Sequence, residues 1–176
     1  DMQNDTLTWG FNTTNSNFKS WQWTDAVSSY DDGNASIKID GFQSGYGSHE
    51  IISQPYDLSA LSNPAIKFSW SAAAVNTNPV NELRVSYSVN CGEEINWPTL
   101  AILSPAEVTN AGLYSTPFIP KPDNDSAWSS RVLTKSQLRD NNVIFKFEYI
   151  VNDVSNNLYI DDINIGEEEA LLKMLT

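Results

Sequence analysis

Short alternating strands separated by turn residues are the feature that most constrains the fold of this chain. Runs that alternate apolar and polar residues, or are rich in β-branched residues, recur along the sequence, with Gly, Pro, Asn and Asp clustered between them. This pattern is typical of an all-β sandwich or barrel. The predicted strands are residues 6–11, 21–27, 35–42, 49–58, 65–74, 82–89, 97–103, 128–134, 142–151 and 157–165.

The alternation also predicts which side chains face the core. Near the end of the chain, Phe145 and Phe147 share one face, and Lys146 and Glu148 share the other. This alternation is typical of antiparallel sheets with one core face and one solvent-exposed face, so we expect two packed antiparallel sheets. In the predicted strand 65–74, the apolar side chains lie on one face and the polar side chains on the other. The apolar set is Ile66, Phe68 and Trp70, and the polar set is Lys67, Ser69 and Ser71.

Two segments fall outside the strand pattern. Residues 104–127 form a long connection rich in Pro, Asn and Ser, a type that often carries binding residues. The ending GEEEALLKMLT could form a short amphipathic helix with an acidic first turn, a linker or an expression remnant. We favour a tail or linker, so the sequence predicts one β-sandwich module at 1–166 and a tail or linker at 167–176.

Charge limits the classes of partner. The chain has 10 Lys and Arg against 22 Asp and Glu, a formal net charge of −12. Such a field repels phosphate backbones and anionic membranes, so we expect no nucleic-acid partner. No stretch is long and apolar enough to span a bilayer, so we also expect no membrane insertion. It favours cations, above all calcium, which takes oxygen ligands.

Catalytic residues are scarce. The one histidine, His49, and the one cysteine, Cys91, fall in or beside predicted strands with no third group in view to orient them. The zinc-protease helix motif, the nucleophile elbow and the phosphate-binding glycine loop are missing from the sequence. Paired acids for glycoside hydrolysis stay open, because carboxylates are plentiful, but most of them lie in turns. We expect no enzyme.

Two acidic stretches are candidates for cation binding. The stretch YDDGNAS (30–36) is either a turn alone or a turn that also binds a cation, since its oxygen-rich composition suits both. In the last predicted strand, Asp161 and Asp162 are neighbours, so one of them must face the more buried side. Alternation groups Asp161 with Tyr159, Ile163 and Ile165, which gives Asp161 the greater need of a proton, a hydrogen-bond donor or a cation.

Exposed aromatic side chains are the candidates for ligand binding. Most of the Trp and Tyr residues are expected to be structural, because sandwich cores use many of them. Tyr46 stands at the tip of a Gly- and Ser-rich loop, and Tyr114 and Trp97 also fall outside the clearest strands. These three side chains are the predicted stacking residues for a sugar.

Six motifs follow one another along the chain: DDGNASIKI, SQPYDLS, PAIKFSW, LRVSYSVNCGEEINW, TPFIPKPDNDSAWSSRVLT and NNLYIDDINI. Their order resembles a MAM-like, galactose-binding-type jelly-roll module, which implies a two-sheet antiparallel β-sandwich with jelly-roll topology. Such modules follow the catalytic domain in secreted bacterial pappalysin-like metalloproteases, and they resemble the cleaved-adhesin modules of surface proteins in Bacteroidota. The resemblance covers residues 7–165, and its most specific parts are 85–97 and 156–165.

The resemblance implies a structural calcium ion near the first and last strands. The first acid of the terminal Asp pair supplies a ligand there, which corresponds to Asp161, and the accompanying ligands correspond to Asp32, Asn34 and Asp5. It further implies a secreted or cell-surface, non-catalytic accessory module for adhesion or substrate targeting within a larger protein. Its partners would be neighbouring domains and extracellular protein or glycan, and the alternative is a dedicated carbohydrate-binding module that uses exposed aromatics.

Overall fold

Ten strands, paired antiparallel throughout, form two five-stranded sheets in the computed structural model of the chain, which describes residues 9–13, 21–29, 35–41, 46–93, 95–121 and 125–175. The first sheet has the order β1-β4-β9-β6-β7, and the second has the order β2-β3-β10-β5-β8. The predicted two-sheet sandwich with jelly-roll topology is confirmed. The strands are β1 (Gly10–Thr13), β2 (Gln22–Thr24), β3 (Ser36–Ile39), β4 (Gly47–Ile52), β5 (Pro64–Ala72), β6 (Glu82–Ser88), β7 (Thr99–Leu103), β8 (Ser129–Thr134), β9 (Ile144–Val151) and β10 (Leu158–Glu167).

The main core lies between the two sheets, where the alternation placed it. In β9, Phe145, Phe147 and Tyr149 are buried, while the side chains between them face outward. Phe147 meets Phe68 of β5 edge to face, with ring centroids 5.0 Å apart. Burying large aromatic side chains from facing strands is the principal source of stability in such a sandwich.

A second apolar cluster covers the outer face of the second sheet, where the sequence predicted a wet face for β5. Every residue of β5 is buried, including Ser69, Ser71 and Lys67, which is 2% exposed. The reason is that other segments lie across this face and bury Tyr159 of β10. The cluster consists of Val27, Ala73, Phe118, Ala127, Trp128 and Tyr159.

A bulge in β10 changes which side chains face the core. The register with β5 shifts between Asp161 and Asn164, and Asp162 has a φ of 54°. Ile163 and Ile165 therefore pack against the main core rather than sharing a face with Asp161. The predicted alternation is wrong beyond residue 161, because Asp162 and Ile163 together stand against the single residue Phe68 of β5, and this one extra residue reverses the order of the faces.

Two short α-helices and three single-turn 3-10 helices lie in the described part of the chain. Helix α1 (Pro105–Val108) follows β7, and helix α2 (Glu168–Leu172) follows β10. Helix α2 packs against β5, β8 and β10 and buries Leu171, so residues after 166 that were expected as a tail or linker fold back on the sandwich. The boundary of the module at residue 166 itself stays a prediction. No helix in the described ranges is long and apolar enough to cross a membrane.

Candidate functional site

Asp161, the first predicted calcium ligand, lies buried on the outer face of β10. It is 4% exposed, and its two oxygens accept hydrogen bonds of 2.7 Å from the backbone N–H groups of Ser29 and Asp162. The bond to Ser29 brings the connection after β2 onto this face. That connection leads directly into residues 30–34, which carry two of the other predicted ligands.

Three serine residues are neighbours of Asp161 by strand register or by a backbone hydrogen bond. Ser69 lies opposite Asp161 on β5, and the β3–β10 register, continued by one residue, places Ser36 opposite it on β3. The hydroxyls of Ser36 and Ser29 are buried without a hydrogen-bond partner among the described residues. Because buried hydroxyls ordinarily find partners, unpaired oxygens beside a carboxylate fit the oxygen-rich surroundings that calcium prefers.

The remaining predicted ligands, Asp32, Asn34 and Asp5, lie outside the described residues. Within the described ranges, no group of three or more His, Cys, Asp or Glu side chains is placed to hold a metal ion. The calcium site accordingly stays a prediction that rests on Asp161 and the hydroxyls around it.

Asp162, the second acid of the pair, has a separate partner. The bulge directs it to Lys67 of β5, with which it forms an ion pair, and its Oδ1 accepts a hydrogen bond of 2.9 Å from Asn164. The side chain of Asp162 is 16% exposed, and that of Lys67 is 3% exposed. One bulge thus gives two neighbouring carboxylates two different environments.

One end of the sandwich carries most of the predicted ligand-binding surface. Four connections meet there of which the structure describes at least three residues, and we call these described residues the loop end: 40–41, 46, 73–81, 104–121, 125–128 and 152–157. Several large apolar side chains are exposed on it. They are Tyr46, Val80, Leu113, Tyr114, Ile119 and Val154.

An open groove of about 360 Å³ lies in the loop end. Pro79 and Asn76 line it from the β5–β6 connection, and Ala106, Thr109 and Leu113 line it from the long connection after β7. Its lining is mainly apolar, with a few amide and hydroxyl groups. Ligand sites in proteins commonly combine these two kinds of lining.

Two asparagines fasten the connections of the loop end together. Asn156, 1% exposed, accepts from the backbone N–H of Phe118 at 2.8 Å and donates to the carbonyls of Tyr114 and Thr116, both at 3.0 Å. Asn157 accepts from the backbone N–H of Gly41 at 3.1 Å and donates to the carbonyl of Phe118 at 2.9 Å. These bonds fix the backbone on which Tyr114 is mounted.

The predicted aromatic residues do not form one platform. Tyr46, 64% exposed, and Tyr114, 41% exposed, both lie at the loop end. Tyr114 packs on Phe118 with centroids 4.9 Å apart, and the hydroxyl of Tyr46 donates to Asp153 at 3.4 Å. Trp97 lies at the opposite end of the sandwich.

Trp97 belongs instead to the charged outer face of the first sheet. The Nζ of Lys146 lies 4.9 Å from the centroid of the Trp97 ring and 2.8 Å from Oε1 of Glu50. His49 and Cys91 are also separated along the sandwich, since His49 pairs with Tyr149 near the loop end and Cys91 follows β6 at the other end. They do not form a dyad.

Sequence reasoning missed the aliphatic members of the loop end. The sequence around these residues does not distinguish an aliphatic side chain exposed in a loop from one that packs into the core. The residues concerned are Leu113, Val80 and Val154. Asn156 and Asn157 begin the motif NNLYIDDINI. Two consecutive asparagines directly before a strand were the available signal for side-chain amides that bond to the backbone of neighbouring loops.

Comparisons with solved structures identify the architecture. A cleaved adhesin domain of Lys-gingipain from Porphyromonas gingivalis has a TM-score of 0.64 at 12% identity, covering 92% of this chain and 91% of that domain. A family 61 carbohydrate-binding module in complex with β-1,4-galactotriose has a TM-score of 0.56 at 12% identity, covering 91% and 88%. A family 11 carbohydrate-binding module from Clostridium thermocellum, with a mixed-linked tetrasaccharide, has a TM-score of 0.54 at 15% identity, covering 95% and 93%.

Sequence comparisons give no further relative: no known protein family matches the chain, and no curated protein does. At such low identity the structural likeness concerns the fold. The chain therefore has the β-sandwich architecture found in cleaved adhesin domains and carbohydrate-binding modules.

Proposed function

We propose that the protein is a non-catalytic accessory module of a larger secreted or cell-surface protein, and that it serves adhesion or substrate targeting by contacting protein or glycan. The fold supports this role, because the similar structures include an adhesin domain and two carbohydrate-binding modules. A link to pappalysin-like metalloproteases or to MAM-like modules stays a prediction from the resemblance.

The exposed apolar loop end is the observation that carries this proposal. Leu113 lines the groove and is 57% exposed, whereas the apolar side chains between the two sheets are buried. Contiguous exposed apolar patches with polar surroundings mark interaction sites in soluble proteins. We therefore place the contact with the partner at the loop end.

A binding panel tests the proposal. The full chain is applied to immobilised polysaccharides and extracellular proteins, together with the variants Leu113→Asp and Ile95→Asp. Ile95 is a matched control because it is 98% exposed in the β6–β7 connection at the opposite end. We expect at least one panel member to bind, with affinity lowered about tenfold or more by Leu113→Asp and unchanged by Ile95→Asp. Binding that ignores both substitutions, or no binding at all, contradicts the proposal.

We also propose that Asp161 binds a structural calcium ion, together with oxygen groups of the connection after β2. An ion that binds only the folded state raises stability by about 3–4 kcal/mol at 100 to 1,000 times its dissociation constant. We expect a chelator to lower the thermal midpoint of the wild-type protein and to have no effect on Asp161→Asn. Glu93→Gln, at an exposed acid, is the control and keeps the response. If the wild-type midpoint ignores both calcium and chelator, Asp161 is not a ligand.

A dedicated carbohydrate-binding module is the second candidate, and the mounting of Tyr114 favours it. Its ring is partly exposed, backed by Phe118, and its backbone carbonyl is held by Asn156. A rigid aromatic ring loses little entropy when it stacks on a ligand. On a glycan array, we expect hits that disappear in Tyr114→Ala and persist in Trp97→Ala. An array without hits contradicts this candidate.

A further inference from the structure

The exposed apolar residues of the loop end form a connected surface. Pro79 and Leu113 line the same groove, and Val80 follows Pro79 directly. The carbonyl of Val80 accepts a hydrogen bond of 3.0 Å from Asn152, which belongs to the same connection as Val154. The surface thus runs from the long connection after β7, across the β5–β6 connection, to the β9–β10 connection.

At its far side the surface reaches the β3–β4 connection. The hydroxyl of Tyr46 bonds to Asp153, next to Val154 in the chain. The exposed side chains along this path are 64% exposed at Tyr46, 55% at Val154, 44% at Val80 and 57% at Leu113. Each therefore still has apolar area to lose to a partner.

The chemistry of this surface suits a polypeptide better than a sugar. A pyranose stacks its C–H face on a flat aromatic ring and directs its hydroxyls to hydrogen-bonding groups. Leu113, Val80 and Val154 offer neither a flat ring nor a hydrogen-bonding side chain. They do offer aliphatic surface, which gains most when it is buried against other aliphatic or aromatic side chains.

The charge around the surface indicates the flanks of such a partner. Asp153 and Asp40 lie in the loop end without an ion pair among the described residues. A third acid, Glu107, is paired with Arg131, and Lys121 is the one basic residue in the described part of the loop end. With the net charge of −12, the field here favours a cationic partner.

We propose that the loop end binds an extracellular polypeptide segment whose short apolar centre enters the groove at Leu113 and whose flanks carry lysine or arginine. This inference rests on the proposed function and narrows its partner to one class. The apolar centre provides the affinity, and the basic flanks provide the rate of association and the preference among partners.

The test is a nuclear magnetic resonance titration of the isotope-labelled full chain. The probes are synthetic peptide pools of equal length: leucine, valine and proline flanked by lysine and arginine, the same centre flanked by glutamate, and a serine centre flanked by lysine and arginine. A neutral β-linked oligosaccharide mixture is the fourth probe. We expect the first pool alone to shift the backbone amides of Val80, Leu113, Tyr114 and Val154.

Two further measurements complete the test. Leu113→Asp is expected to weaken binding of the first pool about tenfold or more, and Ile95→Asp is expected to leave it unchanged. Raising the salt concentration from about 0.1 M to 1 M shortens the Debye length from about 10 Å to 3 Å, so the association of the basic pool is expected to slow.

The outcomes separate this inference from the proposed function. If the oligosaccharides shift the loop-end amides and the peptides do not, the inference is overturned and the proposed function stands with a glycan partner. Equal binding of the glutamate-flanked or serine-centred pool also overturns it. If no probe shifts the loop-end amides and Leu113→Asp leaves the affinities in the binding panel unchanged, both proposals fail.

Discussion

Replacing Asn156 by alanine tests whether one buried amide holds the loop end in place. The side chain is 1% exposed and makes four hydrogen bonds, all to backbone groups. Two are donated to it, by the N–H groups of Phe118 and Asn157, which are themselves buried. The other two run from its amide to the carbonyls of Tyr114 and Thr116.

The magnitude follows from which groups lose a partner. A buried donor left unsatisfied costs about 1–3 kcal/mol, and Asn156→Ala leaves two of them. The carbonyls belong to exposed residues, so water can replace the lost amide there at little cost. We expect the free energy of unfolding to fall by about 3 kcal/mol in total. For a domain of this length that corresponds to a drop of about 6–12 °C in thermal midpoint.

Urea unfolding provides the assay, with Asn152→Ala as the matched control. Asn152 lies in the same connection and its amide also bonds to a carbonyl, but its side chain is exposed. We expect the control to cost less than about 1 kcal/mol. Hydrogen exchange at the Phe118 amide should accelerate in Asn156→Ala and not in Asn152→Ala. Equal losses of stability in the two variants would refute the reasoning, because burial would then have no bearing on the cost.

Three further substitutions test packing and charge. Gly41→Ala should lower the free energy of unfolding in urea by about 1–3 kcal/mol, because a Cβ at residue 41 would lie 1.8 Å from a backbone carbonyl oxygen. Gly166→Ala is the control and should be near neutral, because the space around Gly166 is open. Equal losses in the two variants would contradict this prediction. Asp162→Asn keeps a residue type that tolerates positive φ, but it leaves Lys67 buried without its counter-ion. The free energy of unfolding should therefore fall by about 3–5 kcal/mol. A loss below about 1 kcal/mol would show that the ion pair is solvated. The hydrogen bond from the guanidinium of Arg131, followed by bonds from the backbone and hydroxyl of Ser104, lowers the pKa of Glu107 from 4.5 to about 2. Its contribution to stability is therefore full above pH 4.5 and lost as the pH falls to about 2, so the wild-type advantage over Glu107→Gln in urea should shrink across that interval; a constant difference would be the contrary result.

The sequence was sufficient to predict ten strands in their order along the chain and, in β9, the side chains that lie between the sheets. The side-chain period of a strand is 2, and in β9 that period alone separates Phe145 and Phe147 from Lys146 and Glu148. The two ends of the sandwich were not predictable in this way. Which connections meet depends on the strand order, and the pairing of β9 with β4 and β6 joins segments far apart in the chain.

The sequence also could not predict that the outer face of the second sheet is covered, because this coverage depends on contacts between residues far apart in the chain. Tyr159 lies in β10, and the ring that covers it, Phe118, comes from a loop 41 residues earlier in the chain. Local composition described that loop correctly as a connection rich in Pro, Asn and Ser. It could not indicate that Phe118 within it would pack on Tyr159 and, together with Val27, Ala127 and Trp128, cover part of this sheet face.

The acid pair at 161 and 162 combines both kinds of inference. Alternation selected Asp161 as the carboxylate in greater need of a partner, and the structure places it at 4% exposed. The neighbours differ from those expected, because the bulge turns Ile163 and Ile165 to the core and leaves Asp161 beneath the connection after β2. The backbone N–H groups of Ser29 and Asp162 donate hydrogen bonds to the oxygens of Asp161, whereas Asp162 pairs with the ammonium group of Lys67. The two acids should therefore respond differently to the removal of calcium. Removal should lower the stability of the protein through Asp161, and it should leave the ion pair at Asp162 intact.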